Sequence, residues 1–90
     1  MANEELYSWV LSGTQRMAVL KAMSKPMTPS LIREKSICYN KKVSLNNCSN
    51  ILRRFVERGL AVCINEQDKR GRIYQLTELG EKIRELLMRE

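Results

Sequence analysis

The chain has 90 residues, of which 43% are hydrophobic and 29% charged, and its formal net charge is +6. This length predicts one small domain, and this composition is typical of a globular chain and not of a disordered one. No apolar run approaches the ~20 residues of a membrane span. The acidic start "MANEEL" does not resemble a signal peptide, so we expect a cytoplasmic protein with no membrane contact.

The positive charge is concentrated in the middle of the chain. Between Arg33 and Arg72 there are ten lysines and arginines against four acids, whereas the remaining residues carry six of each. A localised positive field is the pattern expected of a protein that binds a polyanion such as nucleic acid. The alternative is a basic surface that only keeps the protein in solution.

Two elements are predicted before residue 25. Residues 1–11 favour a short helix or an irregular arm with one apolar side, and a helix follows over about 13–24. Ser12 is expected to cap that helix, with Gln15 as the partner three positions later in a capping box. The apolar side of the arm is formed by Leu6, Trp9 and Val10.

The next helix is predicted to begin at Thr28, with Pro29 at the first helical position, where no amide donor is needed. Leu31 and Ile32 are expected to face inward, and the helix should end near residues 36–37. The stretch "CYNKKV" then forms a polar, basic connection.

The third main helix has the clearest limits. Ser44 is its predicted cap, and Gly59 its C-terminal stop, where a left-handed residue is favoured. Apolar spacing predicts a buried stripe made by Leu45, Cys48, Leu52 and Phe55. At 100° per residue, the opposite side carries Asn46, Asn50, Arg53, Arg54 and Glu57, with Asn47 and Ser49 at its edges.

A hairpin and a final helix complete the prediction. Alternation from residue 60 to 65 indicates a strand that buries Leu60, Val62 and Ile64, and residues 73–76 return with Tyr74 and Leu76 on one face. The segment "EQDKRGR" connects them, with Gly71 supplying a positive φ. Thr77 caps a helix over 78–90, in which Gly80 indicates a close neighbour. Its apolar stripe is Leu79, Ile83, Leu86 and Leu87.

This order of elements predicts one α+β, mainly α-helical domain over residues 1–90. Three helices followed by a hairpin and a last helix fit a winged helix-turn-helix, with a three-helix core and the hairpin as the wing. A charged loop at the tip of such a hairpin is suited to lie along a phosphate backbone beside an inserted helix.

The stretch "SNILRRFVERGLAVCINEQDKRGRIYQLTELGEKI" resembles the second half of small archaeal and bacterial winged-helix transcriptional regulators, which are related to the multidrug-resistance-regulator and arsenic-repressor superfamilies. The resembling motifs are Gly59-Leu60, the basic segment 69–72, and Tyr74-x-Leu76-Thr77 with Gly80. "YSWVLSGTQRMAVLKAM" is similar to the first helix of that family. The stretch between Ile32 and Cys48 is longer than the tight turn usual between the two corresponding helices, which predicts a longer helix or a loop there.

The resemblance implies a sequence-specific regulator of transcription that binds double-stranded DNA. Asn pairs with adenine and Arg with guanine through two hydrogen bonds each, so the polar side of the third helix is the expected major-groove reader. Its candidate DNA-binding residues are Ser44, Asn46, Asn47, Ser49, Asn50, Arg53 and Arg54. The expected contacts of the wing with the backbone or minor groove are Lys69, Arg70 and Arg72, and further backbone contacts are Lys41 and Lys42.

A homodimer is expected, because such readers commonly bind two half-sites and so small a core leaves apolar residues for a partner. Its candidate interface residues are Leu6, Trp9, Leu79, Ile83, Leu86 and Leu87. With no histidine, no glycine-rich phosphate loop and no nucleophile motif, an enzyme is not expected, and no metal or other cofactor is predicted. Cys38 is the better candidate for a thiol sensor, and Cys48 is expected to be a core residue. A small-molecule effector would have to bind at a dimer interface or a core crevice.

Two other functions remain open at this point. A winged-helix domain that serves protein–protein assembly would need no basic recognition helix, and its charged wing would be incidental. RNA binding usually needs exposed aromatic side chains for base stacking, and the chain has only one Phe and three Tyr.

Overall fold

The computed structural model describes residues 2–89, with side chains described from Glu4 onward, so Met1 and Glu90 at the ends of the predicted arm and last helix lie outside it. The described part is an α+β fold, mainly helical, with five helices and one antiparallel hairpin. None of these helices has the length and apolar character needed to cross a bilayer. The elements are α1 (Ala2–Leu11), α2 (Thr14–Ala22), α3 (Pro29–Ser36), α4 (Leu45–Glu57), β1 (Ala61–Cys63), β2 (Tyr74–Leu76) and α5 (Glu78–Met88).

Three helices begin where a hydroxyl residue was predicted to cap them. Thr28, Ser44 and Thr77 each precede a helix, and each side-chain oxygen accepts a hydrogen bond from the backbone N–H three residues later. Such a cap contributes about 1 kcal/mol to helix stability. The predicted starts of α3, α4 and α5 are therefore confirmed.

The predicted cap at Ser12 is wrong. The residue that precedes α2 is Gly13, which makes no side-chain cap, and the Ser12 hydroxyl donates instead to the carbonyl of Trp9 at 2.7 Å. The reason is that residues 2–11 form a full helix, so Ser12 follows the end of α1, where free carbonyl groups are available.

The core lies between the helices and is closed on one side by the hairpin. Phe55 is fully buried at its centre, and Trp9 meets it edge to face at 5.9 Å between ring centroids. Two predicted inward residues are wrong: Leu31 and Leu45 are each 48% exposed. Both lie in the first turn of a helix. The remaining predicted stripe of α4, namely Cys48, Leu52 and Phe55, is fully buried as expected.

The hairpin forms as predicted, but the faces of β1 are reversed. Ala61 is buried and pairs with Leu76, whereas Val62 and Ile64 are 44% and 52% exposed. Leu60 is buried but belongs to the bend that follows Gly59, so the alternation of the strand starts one residue later than the sequence indicates. A shift of one residue moves each side chain of a strand to the other face.

A third segment pairs with the hairpin and was not predicted. Met27 exchanges two backbone hydrogen bonds with Tyr74, at 2.8 and 3.0 Å, in an antiparallel bridge. This pairing joins the α2–α3 connection to β2. It brings the beginning of α3 close to the hairpin.

The connection between α3 and α4 is a turn-rich loop over residues 37–44, which settles where the extra length lies. Val43 anchors this loop in the core with no exposed surface. Its carbonyl accepts a hydrogen bond from Arg33 Nε at 3.1 Å. The buried Val43 side chain and the hydrogen bond to its carbonyl therefore both fix the end of this loop before α4 begins.

A tight junction connects α4, β1 and α5. Gly59 has φ of 78°, which ends α4 as predicted, and Leu60 N–H donates to the Phe55 carbonyl at 2.8 Å. The Thr77 hydroxyl donates to the Gly59 carbonyl at 2.6 Å, and Thr77 N–H donates to the Leu60 carbonyl at 2.9 Å. Gly80 is buried against this Leu60 carbonyl, and a Cβ there would overlap the oxygen. The predicted close approach at Gly80 is confirmed.

We expect Gly80→Ala to lower the free energy of unfolding by about 2 kcal/mol, because overpacking against a backbone atom outweighs the ~1 kcal/mol gain in helix propensity. Urea denaturation measures this change. Lys82→Ala, at an exposed position of α5, is the matched control and should stay within about 0.5 kcal/mol of the unsubstituted protein. Equal stability of the two variants would contradict the close packing at Gly80.

Candidate functional site

The polar side of α4 is exposed along its length. Ser44 begins the helix, and its hydroxyl oxygen accepts from Asn47 N–H at 3.1 Å, so the first turn is fixed. Arg53 and Arg54 follow near its middle and are exposed. Of the other candidate residues of this helix, Asn46, Asn47 and Asn50 are exposed and Ser49 is half-buried. The structure thus keeps the predicted polar face free of the core.

The hairpin loop is ordered by Asn65, a residue that sequence reasoning did not single out. Its Oδ1 accepts from Ile73 N–H at 2.6 Å, and its Nδ2 donates to Asp68 Oδ2 at 3.2 Å and to the Gly71 carbonyl at 3.1 Å. One side chain therefore spans the loop from side to side. A signal for it exists in the sequence, since Asn commonly bonds nearby backbone in turns.

The basic residues of the loop are all exposed, but only two of the three line the same crevice. Arg72 Nε donates to the Asp68 carbonyl at 3.1 Å, which turns this side chain back along the loop. Lys69 and Arg72 both line a crevice against the starts of α3 and α4, whereas Arg70 lines none of the described crevices. Gly71 has φ of 65°, as predicted for this loop.

Two adjoining crevices separate α4 from the hairpin. The first, of about 430 Å³, is lined by Arg53 and Ser49 from α4 and by Arg72 from the loop, with Glu66 as its one acid. The second, of about 310 Å³, is lined by Lys69 and Arg72 together with the beginnings of α3 and α4. Candidate residues of the helix and of the loop thus face a common space. Among residues 4–89, no ion pair neutralises Arg53, Lys69 or Arg72; the described ion pair joins Arg89 to Glu85.

The opposite flank of α4 contacts the beginning of α2. Asn47 Nδ2 donates to Gln15 Oε1 at 3.1 Å, between residues 32 positions apart in the sequence. Gln15 was predicted only as a capping partner of Ser12, a role that the structure does not support. No local pattern could reveal this contact, because it depends on the packing of α2 against α4. Lys41 and Lys42 are exposed in the loop that precedes α4.

The Trp9 side chain packs α1 against the rest of the domain. The guanidinium carbons of Arg16 and Arg58 lie 4.5 and 4.1 Å from its ring centroid, and the same ring packs on Phe55. Arg16 Nη1 also donates to the Trp9 carbonyl at 2.5 Å. Cation–π contacts of this kind contribute about 0.5–2 kcal/mol each. The described contacts of the Trp9 ring are therefore with residues of its own chain.

The candidate dimer residues divide into three groups. Ile83 and Leu87 are 1% and 2% exposed and belong to the core, so their assignment to an interface is wrong. Leu6, Trp9 and Leu79 are half-buried against the same core. Leu86 is 41% exposed on the outer side of α5, because only part of the predicted apolar stripe, including Ile83 and Leu87, faces the core.

The three cysteines are free thiols in different surroundings. Burial raises the pKa of the Cys48 thiol to about 11, and the nearby Arg33 lowers it by a smaller amount. Cys48 is fully buried and stays protonated at neutral pH, as expected of a core residue. Cys38 is exposed and Cys63 half-buried. In the part of the chain that the structure describes, no group of three or more His, Cys, Asp or Glu residues is placed to hold a metal ion.

Comparison with known protein families, curated proteins and solved structures gave no match to this chain.

Asn65→Ala is expected to disorder the hairpin loop, because Ile73 N–H loses its acceptor and Gly71 its donor. Amide hydrogen exchange at Ile73 should become at least about tenfold faster, the effect of losing ~1–1.5 kcal/mol of local stability. Gln67→Ala, an exposed position of the same loop, provides the control and should leave that exchange rate unchanged. Unchanged protection of Ile73 in Asn65→Ala would show that Asn65 does not organise the loop.

Proposed function

We propose that this chain is a winged helix-turn-helix protein that binds double-stranded DNA in a sequence-specific manner and regulates transcription. In this proposal α4 enters the major groove, and the hairpin loop, as the wing, lies on the backbone or in the minor groove. The proposal assigns no catalytic activity and no cofactor. The link to transcription rests on the resemblance of the sequence to winged-helix regulators.

The observation that carries the proposal is the shared crevice between α4 and the hairpin. Arg53 and Arg72 are 19 positions apart in the sequence, yet both line this crevice, and Lys69 joins Arg72 in the adjoining one. A duplex presents phosphates on both sides of its major groove, so a reader needs cations beside the inserted helix as well as on it. Helix and loop provide that arrangement.

The order of pairing supports the winged-helix interpretation. Met27, between α2 and α3, pairs with β2, and β2 pairs with β1. The hairpin is thereby held beside the α3–α4 pair instead of projecting freely from the chain. A wing in this position lies next to the helix that it assists.

Roles follow from residue chemistry. Asn46, Asn50 and Arg53 carry the groups that read base edges, since their amides and guanidinium form paired hydrogen bonds with adenine and guanine. Lys41 and Lys42 precede α4 and suit the phosphates on the side where a helix N-terminus already favours anions. Arg54 lies two helical turns after Asn47, whose side chain contacts α2, so helical periodicity puts it on the same side of α4, where it suits the backbone.

One observation favours a second candidate, a protein–protein assembly module. Leu31, Leu45 and Val56 are 48%, 48% and 37% exposed, and Leu45 and Val56 line the same two crevices as the basic residues. Exposed apolar side chains near a groove are typical of protein docking sites, although they also contact thymine methyl groups. DNA binding decides between the two candidates.

The salt dependence of DNA binding tests the proposal. Each phosphate that a protein contacts contributes about −0.9 to the slope of log affinity against log salt. If Lys69, Arg70 and Arg72 contact the backbone, replacing all three with Ala should flatten the slope by up to about 2–3 units and weaken specific and non-specific duplexes alike. Fluorescence anisotropy with labelled duplexes at several salt concentrations measures it.

The matched control removes three positive charges elsewhere. Lys25, Lys82 and Arg89 are exposed and line neither crevice, so the triple Ala variant has the same net charge as the wing variant but should keep most of the slope. Equal slopes for the two variants would assign the wing charge to solubility. A wild-type protein with no measurable affinity for any duplex would reject the DNA proposal and favour the assembly module.

A homodimer is part of the proposal, with the exposed side of α5 as its contact. We expect the protein to sediment as a dimer at micromolar concentration and Leu86→Glu to shift it towards monomer, because a charge would then be buried at the interface. Gln75→Glu, which adds a negative charge at an exposed hairpin position, should leave the dimer intact. A wild-type monomer at every concentration would remove dimerisation from the proposal.

A further inference from the structure

The hydrogen bond between Gln15 and Asn47 joins two elements at the edge of the proposed reading face. Asn47 lies in the first turn of α4 and is exposed, while Gln15 lies at the beginning of α2 and is half-buried. Their amide groups meet at 3.1 Å, with Asn47 Nδ2 as donor and Gln15 Oε1 as acceptor. The next residue of α2, Arg16, is directed elsewhere, towards Trp9 and Ser12.

This contact contributes little to the stability of the fold. Hydrogen bonds between side chains that water also reaches add only a small net free energy. The two helices are already joined through the core, where Ala18, Val19 and Leu20 of α2 and Leu52 and Phe55 of α4 are buried. The main effect of the contact is therefore to orient the Asn47 amide group.

Orientation decides what an amide can read. A free Asn side chain rotates about its last bond and presents its oxygen or its nitrogen with similar ease. In the structure Gln15 Oε1 accepts from this nitrogen, an arrangement that turns Nδ2 towards α2 and leaves Oδ1 and the second Nδ2 hydrogen unoccupied. One acceptor beside one donor matches the major-groove edge of adenine, which presents the N6 amino group and N7.

We propose that Gln15 is a positioning residue that fixes Asn47 to read one A·T base pair at the edge of the DNA site. This inference rests on the proposed function and adds a second helix, α2, to the reading apparatus. Gln15 acts through Asn47 and needs no contact with a base itself. The backbone of Asn47 is fixed independently by the Ser44 cap, so only the side chain depends on Gln15.

The test compares base preferences of variants. Duplexes selected from a random pool by the wild-type protein define the preference at each position, and the same selection is repeated with Gln15→Ala. We expect the preference for A·T at one position to fall at least about fivefold, at the low end of what a paired amide contact provides, with the other positions unchanged. The unfolding midpoint should not fall, because Ala is a good helix former.

Two further variants separate positioning from a structural role. Gln15→Glu keeps an acceptor for Asn47 Nδ2, so it should retain the A·T preference while its negative charge weakens all duplexes alike. In an Asn47→Ala background, Gln15→Ala should have no additional effect, since the two residues act as one unit. Gln75→Ala, the same substitution at an exposed position of β2, should change nothing.

The outcomes distinguish this inference from the proposed function. If Asn50→Ala alters the selected sequences but Gln15→Ala leaves them as in the wild type, the positioning role is rejected and DNA reading by α4 stands. Additive effects of Gln15→Ala and Asn47→Ala at different base pairs would also reject it, because Gln15 would then act alone. A wild-type protein that selects no sequence would overturn both proposals.

Discussion

The junction at Gly59 and Leu60 determines how the rest of the chain is arranged. The Leu60 carbonyl accepts from Thr77 N–H and packs against Gly80, while Leu60 N–H donates to the last turn of α4 through Phe55. One residue thus fixes the end of α4, the start of the hairpin and the first turn of α5. The angle between α4 and the hairpin, and with it the width of the crevices between them, depends on this contact. Only glycine fits at position 80, because the Leu60 backbone occupies the space that a Cβ would fill.

Local chemistry allowed most of the element limits to be predicted. Thr28, Ser44 and Thr77 cap helices, Gly59 and Gly71 adopt positive φ, and Gly80 marks a close approach, all for reasons that lie within a few residues. The polar side of α4 followed equally from helical periodicity.

The wrong predictions have a common cause: they depend on tertiary packing, which a short stretch of sequence does not show. Leu31 and Leu45 are apolar and correctly spaced but remain about half exposed, and Ile83 and Leu87 are buried in the core of their own chain. Val62 and Ile64 were placed on the wrong face because the bend at Leu60 displaces the alternation by one residue. Gln15 and Met27 were missed as contact residues because their partners, Asn47 and Tyr74, lie far away in the sequence.

The Asn65 contacts have a consequence for the thermodynamics of any complex that the hairpin loop forms. A loop that becomes ordered only on binding loses conformational entropy at that moment, about 1–2 kcal/mol for each backbone residue that is fixed. Here Asn65 already spans the loop in the free chain through Asp68, Gly71 and Ile73. Most of that loss has therefore occurred during folding. Association through this loop should accordingly show a small entropic penalty and a heat capacity change set by buried surface alone, without a contribution from coupled folding.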